Sequence, residues 1–158
     1  MPGLEDLYRE IILDHYRSPR NRGELETPPA HRSEGFNPLC GDEVVVYVDV
    51  DDERVINDVR IGGQGCSISQ SSASMMSAAI KGKTVEEARE ITRAFKAMMS
   101  IHEHELGGEV GSGEIDGEIA LGDLEALRGV VKFPVRIKCA TLSWNTLTQG
   151  LDEVTAEP

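Results

Sequence analysis

The chain has 158 residues, 39% of them hydrophobic, which predicts one folded domain over residues 1–158 and is too little for a membrane protein. A formal net charge of −12 argues against binding nucleic acid, because the phosphate backbone attracts basic surfaces. No apolar run approaches the ~20 residues of a membrane helix, and the first residues lack a secretion signal, so we expect no membrane contact and a cytoplasmic location.

The N-terminal segment predicts a helix over residues 4–17, because its apolar residues recur at helical spacing and Pro19 stops the pattern. Residues 18–42 are rich in proline, glycine, asparagine and arginine, which is typical of irregular chain. We expect only a short strand near 31–36 within this segment.

Two β-branched segments follow and predict an antiparallel pair of strands, residues 44–50 and 55–61, joined by an acidic turn at 51–53. Three glycines within residues 62–65 then predict tight turns or a close backbone approach.

The middle of the chain predicts two helices. The first covers residues 67–81, and its serine-rich part, 67–77, is interpreted as helix surface and small-residue packing. The second begins at a capping box formed by Thr84 and Glu87 and runs to about residue 101.

The last third contains an acidic, glycine-rich insert at about 103–125, with a loop at 107–118. A short helix is predicted at 123–128, extended chain at 133–139 and a final helix at about 140–154. The layout predicts an α+β fold with an N-terminal helix, a small antiparallel sheet of about three strands, and helices packed on one face.

Three cysteines, Cys40, Cys66 and Cys139, each lie beside a predicted turn or at the start of a predicted helix. Helix N-termini favour anions and therefore lower the pKa of a thiol. An odd number of cysteines excludes a complete disulfide framework, which leaves metal ligands, nucleophiles or small core residues. The lack of a Cys-x-x-Cys pair means that shared ligation would require convergence in the folded protein.

Asp42 is a candidate fourth ligand, because residues 40 and 42 of an extended chain point to the same side and Gly41 allows a bend. The alternative is a turn residue that bonds its own backbone. Three thiolates and a carboxylate fit tetrahedral zinc, and they also fit iron–sulfur ligation.

Four motifs together resemble the IscU/SufU (NifU N-terminal-like) family over roughly residues 4–154. They are Cys-Gly-Asp at 40–42, Gly-Gln-Gly-Cys at 63–66, Arg-Ile-Lys-Cys at 136–139, and an opening segment at 8–21 that includes Asp-His-Tyr-Arg-Ser-Pro-Arg-Asn. Members of this family are cluster-assembly scaffolds, or sulfur acceptors that act with a cysteine desulfurase.

Two features are similar to the SufU branch: Lys138, where scaffold-type IscU members carry histidine, and the long insert. The resemblance then implies Cys40, Asp42, Cys66 and Cys139 as zinc ligands and a zinc-dependent sulfurtransferase of iron–sulfur cluster assembly. One alternative is a scaffold that holds a transient [2Fe–2S] cluster for apo-proteins. Another is an interaction protein with structural zinc.

The resemblance also implies the partners, namely a SufS-like cysteine desulfurase and downstream cluster-assembly proteins. We expect Cys40 to accept the sulfur, with Cys139 as the second choice. Arg136 matches a recurrent arginine of the SufU branch and could steady a thiolate or persulfide, unless it is a surface cation. The helix at 4–17 either docks the desulfurase or packs on the sheet.

Overall fold

The computed structural model describes residues 2–27, 29–38, 41–99 and 122–155, with the side chains of 2–8, 123, 131, 132 and 134 excepted. Cys40 and the predicted loop at 107–118 lie outside the described residues. In chain order the elements are α1 (Pro2–Arg17), β1 (His31–Asn37), β2 (Asp42–Val50), β3 (Ile56–Gln64), α2 (Ser67–Ile80), α3 (Val85–Met99), a 3₁₀ helix (Gly122–Lys132) and α4 (Pro134–Thr155).

The three strands form one antiparallel sheet in the order β1-β2-β3. Valines at alternate positions of β2 turn one face toward the helices, and α2 and α4 pack on that face. On this helix-covered face, Ser33 of β1 pairs with Val46 of β2. Asn37 pairs with Asp42 at the end of the β1–β2 pairing. The predicted α+β fold is therefore confirmed, and the helix-covered face ends at Asn37 and Asp42.

The glycine segment is partly strand rather than turn, because β3 continues through Gly62 and Gly63 to Gln64. Gly63 has a φ of +103°, and a Cβ atom there would lie 2.3 Å from the carbonyl oxygen of Glu43. The close backbone approach expected from these glycines thus occurs inside the ladder.

Residues 133–139 were predicted as extended, and this is wrong because α4 begins at Pro134. Proline fits the first position of a helix, where its missing N–H is not needed. The N–H of Arg136 donates to the carbonyl oxygen of Phe133 at 2.7 Å. Cys139 therefore lies in the second turn of α4 rather than at its start, and Lys138 does not alternate with Arg136 along a strand.

The serines of α2 were interpreted as helix surface and small-residue packing, and the surface part of this interpretation is wrong. Ser71, Ser72, Ser74 and Ser77 are all fully buried. Ser71 Oγ donates to the carbonyl oxygen of Ile12 in α1 at 2.7 Å. Ser72 Oγ donates to that of Ala140 in α4 at 2.6 Å. Helix α2 is thus a central element that holds α1 and α4 through hydroxyl groups.

His15 lies at the same contact between α1 and α2. Its ring is buried, and Nδ1 is 2.7 Å from Ser74 Oγ. The backbone N–H of Arg20 donates to the same hydroxyl at 2.8 Å.

Among the described helices, none is long and apolar enough to cross a membrane.

Candidate metal centre

Asp42 is the first residue of β2, and its side chain reaches across to the start of α2. It is fully buried, and its Oδ1 accepts a hydrogen bond from the backbone N–H of Cys66 at 2.9 Å. Its Oδ2 is 3.8 Å from Cys66 Sγ. The carboxylate thus bonds a residue 24 positions along the chain, rather than serving as the local turn residue that was the alternative.

Cys66 is the N-cap residue of α2, as the sequence predicted, with φ −73° and ψ 170°. The residue is half-buried. The positive end of the helix macrodipole favours negative charge at this position, whether on the sulfur or on the carboxylate of Asp42. Both groups therefore lie where an anion is stabilised.

Cys139 comes from α4 and is fully buried. The side-chain amide Nδ2 of Asn37 donates toward its Sγ over 3.9 Å. The ligand atoms of Asp42, Cys66 and Cys139 all lie within 4.8 Å of one another. The described part of the chain thus brings three of the four predicted ligands together, one each from β2, α2 and α4.

These donor atoms fit zinc. The ion bonds sulfur at about 2.3 Å and oxygen at about 2.0–2.2 Å, so ligands on one zinc lie within about 4 Å of each other. The observed spread of 4.8 Å exceeds this by roughly 1 Å, which modest side-chain rotation can remove. Two sulfurs and one carboxylate oxygen leave room for a fourth ligand, and Cys40 precedes Asp42 by two residues in the sequence.

Comparison with known proteins identifies the family. The model of the NifU-like N-terminal domain matches residues 7–140. The chain belongs to this NifU-like family. The resemblance to IscU and SufU proteins found in the sequence motifs is therefore confirmed.

Two curated relatives illustrate the branches of this NifU-like family. Zinc-dependent sulfurtransferase SufU of Bacillus subtilis is 45% identical, over 94% of this chain and 91% of the relative. The iron–sulfur cluster assembly scaffold protein IscU of Streptococcus pyogenes is 37% identical, over 94% and 84% respectively. A crystal structure from Fervidobacterium islandicum is described as a putative iron–sulfur cluster assembly scaffold of the SUF system. Its sequence is 34% identical, and the two folds superpose with a TM-score of 0.74. The aligned region spans 90% of this chain and 94% of the Fervidobacterium chain.

A groove of about 700 Å³ adjoins the candidate metal centre through Ser67, the residue after Cys66, and the sequence reasoning did not find it. It is lined by α1, the first turn of α2, the 3₁₀ helix and the start of α4. Ile12, Ile68 and Val130 supply apolar surface, and Arg9 and Arg136 supply positive charge. In the sequence, only the amphipathic pattern of α1 pointed to this groove. The other walls come from segments far apart in the chain, so no local pattern could reveal them.

Arg136 and Lys138 are both exposed on the first turns of α4. Arg136 lines the groove and precedes Cys139 by three residues, so the two share one side of the helix. Phe133 and Val135, beside it, are each 61% exposed, which is unusual for such apolar side chains. His102 and His104 lie outside the described residues.

Proposed function

We propose that this protein is a zinc-dependent sulfurtransferase that accepts persulfide sulfur from a cysteine desulfurase for iron–sulfur cluster assembly in the cytoplasm. The observation that carries the proposal is the convergence of Asp42, Cys66 and Cys139, whose ligand atoms lie within 4.8 Å of one another. The relative from Bacillus subtilis that is named a zinc-dependent sulfurtransferase supports the same reaction.

We take the ligand set to be Cys40, Asp42, Cys66 and Cys139. Three thiolates and one carboxylate are a suitable set for tetrahedral zinc. A bound zinc ion would keep its cysteine ligands deprotonated at neutral pH and would protect them from oxidation. The carboxylate of Asp42 also accepts the N–H of Cys66, so it is held in place by the protein itself.

The transfer is a displacement at sulfur. The thiolate of Cys40 attacks the outer sulfur of the desulfurase persulfide, and a new S–S bond forms as the donor S–S bond breaks. The donor cysteine leaves as a thiolate, and the persulfide proton stays with the transferred sulfur. The number of S–S bonds is unchanged, so no added oxidant or reductant is needed.

Cys40 is the proposed acceptor because access of the donor limits this kind of exchange. Cys139 is fully buried, and Cys66 is half-buried with its Sγ 3.8 Å from Oδ2 of Asp42. Both described cysteines are therefore poor targets for a persulfide carried on another protein. Arg136, exposed on the groove next to this site, is proposed to steady the persulfide charge.

We propose the groove as part of the docking surface for a SufS-like cysteine desulfurase, with α1 forming one wall. Its apolar floor and its two arginines suit a partner segment that combines apolar side chains with carboxylates. The sulfur would then pass to downstream cluster-assembly proteins.

The test uses purified protein, a cysteine desulfurase and L-cysteine. Wild type should be colourless, contain one zinc per chain, stimulate the desulfurase and gain one sulfur atom at Cys40, seen by mass spectrometry of the alkylated peptide. Cys40→Ala should lose both stimulation and persulfidation. Full stimulation by Cys40→Ala would remove the assignment of the acceptor, and a zinc-free wild type would remove the proposal.

A [2Fe–2S] scaffold is the second candidate function, favoured by the similarity to the Streptococcus pyogenes scaffold protein. In that case the cluster is cargo, and a carboxylate ligand such as Asp42 would favour its release. A brown protein that passes iron and sulfide to an apo-ferredoxin, and does not speed the desulfurase, would favour this function.

A further inference from the structure

Asn37 is a buried polar residue at the metal centre that the ligand set does not include. It is the last residue of β1, pairs with Asp42 across the ladder, and is 5% exposed. Its backbone carbonyl oxygen accepts the N–H of Gly41 at 2.8 Å. Asn37 thus lies at the point where the β1–β2 connection, which carries Cys40 in the sequence, meets the sheet.

The side chain of Asn37 points toward α4 and not along its own strand. Its Nδ2 group donates toward Cys139 Sγ over 3.9 Å, across 102 positions of sequence. A cysteine thiolate has no hydrogen to donate, so only the amide NH₂ end is complementary to it. Because Cys139 is fully buried, a thiolate there would be stabilised by a hydrogen bond from the protein and not by water.

A hydrogen bond to a metal-bound thiolate has two effects. It orients the sulfur toward the metal, and it withdraws electron density, so the sulfur is less nucleophilic. Among the described cysteines, Cys66 has its Sγ next to Asp42, whereas Cys139 has its Sγ next to an amide donor. The two described cysteines thus have different electronic surroundings, one beside a carboxylate and the other beside an amide donor.

We infer that Asn37 is a positioning residue for Cys139, which it holds in the ligand group and keeps out of sulfur transfer. This inference rests on the ligand set and the transfer proposed above. It assigns separate tasks to the cysteines: Cys139 would remain a metal ligand, and Cys40 would accept the sulfur.

The test measures metal binding, not only transfer. Asn37→Leu keeps the approximate size and removes the donor, Asn37→Gln keeps an amide, and Ser33→Ala changes another buried residue of β1 as the control. Zinc affinity is measured by competition with a chromophoric chelator. The cobalt-substituted proteins are then compared through the sulfur-to-cobalt charge-transfer band, which reports the electron density on the sulfur.

We expect Asn37→Leu to bind zinc about 10- to 100-fold more weakly and to shift the charge-transfer band to longer wavelength. Asn37→Gln should restore both in part, and Ser33→Ala should leave both unchanged. If Asn37→Leu proves unstable as the zinc-free protein, Asn37→Ser, whose hydroxyl is too short to reach the sulfur, takes its place in the comparison.

Wild-type affinity and an unshifted band in Asn37→Leu would overturn the inference while leaving the proposed function intact. An affinity loss without a band shift, matched by Ser33→Ala, would overturn it as well, since that pattern is a packing defect. A wild-type protein that binds neither zinc nor cobalt would overturn the proposed ligand set and this inference together.

Discussion

A Cβ atom on Gly65 would lie 2.6 Å from Oδ1 of Asp42 and 3.0 Å from its Cβ. Real side-chain carbons do not approach other atoms so closely, and the same Oδ1 already accepts the N–H of Cys66. The second glycine of the Gly-Gln-Gly-Cys motif is therefore required for space. It lets the carboxylate reach the beginning of α2.

Gly65→Ala should disrupt the metal centre. The added methyl group would push the Asp42 carboxylate away from Cys66, so we expect zinc affinity to fall by about 10- to 100-fold, as when a group that orients a ligand is lost. Chelator competition measures it. Gly62→Ala is the matched control, because a Cβ atom there would meet only the Cβ of Val45 at 3.9 Å, an ordinary contact. Equal zinc affinity in Gly65→Ala and wild type would contradict this steric role.

Zinc removal should destabilise the fold, because the proposed ligands tie β2, α2 and α4 together. At a free zinc concentration 100 times its Kd, binding contributes about 2.7 kcal/mol. For a chain of this size the corresponding fall in Tm on adding a chelator is roughly 5–10 °C. Cys66→Ser should start from a lower Tm and respond little to the chelator. A fall in Cys66→Ser as large as in wild type would show that the chelator acts elsewhere.

Much of the fold could be predicted from the sequence because its signals are local. The apolar stripe of α1, the β-branched strands and the Thr84–Glu87 capping box all depend on neighbours a few residues apart, and both hydrogen bonds of the box form at 3.0 Å. The position of Cys66 at a helix start follows from the same kind of local signal.

The errors came where tertiary contacts decide the structure. The alternating residues at 133–139 are typical of a strand, yet α4 begins at Pro134. The helical conformation is favoured because it packs Ile137 against the core and buries Cys139 and Ala140. The sequence does not indicate whether a serine hydroxyl is solvated or donates to a buried carbonyl oxygen. For the same reason Asn37 could not be identified, since its sulfur partner is 102 positions away.

Ser74→Ala should lower the free energy of unfolding. The Ser74 hydroxyl is 2.7 Å from His15 Nδ1 and accepts the backbone N–H of Arg20 at 2.8 Å, so its loss removes two hydrogen bonds at the contact between α1 and α2, at a cost of about 1–3 kcal/mol. Urea denaturation measures the change. Ser69→Ala is the matched control on α2, because within the described structure Ser69 Oγ is buried with no hydrogen-bond partner. It should be neutral or slightly stabilising. A larger loss in Ser69→Ala would disprove the assignment.

Asp51 should contribute pH-dependent stability to the β2–β3 turn. The backbone N–H of Val55, the amide of Asn57 and the backbone N–H of Glu53 hold the pKa of Asp51 below its ordinary value of 3.8. Since the folded pKa is depressed, this contribution is present above the unfolded pKa and disappears as pH falls through the folded value.

Asp51→Asn should therefore be less stable than wild type at neutral pH, with the difference shrinking below about pH 4. Urea denaturation at a series of pH values checks it. Asp52→Asn makes the same charge change in the same turn and should follow the wild-type curve. A constant difference between Asp51→Asn and wild type across the acid range would show that the carboxylate charge is not the cause.

Arg9→Glu should weaken desulfurase binding without loss of zinc. Arg9 is exposed on the wall of the groove, whereas the proposed zinc ligands of the described structure come from β2, α2 and α4, so we expect the charge reversal to act on docking alone. We expect about tenfold weaker binding at low salt, and a smaller difference at high salt because ions screen exposed charges. Isothermal titration at two salt concentrations measures both.

Arg93→Glu is the matched control for this groove prediction, since Arg93 is exposed on α3 and does not line the groove. Both variants change the net charge equally, so a long-range effect of charge alone would weaken binding to the same extent in each. A loss confined to Arg9→Glu would locate the partner on the groove. Equal losses, or a loss of zinc from Arg9→Glu, would instead favour the interpretation that α1 only packs on the rest of the domain.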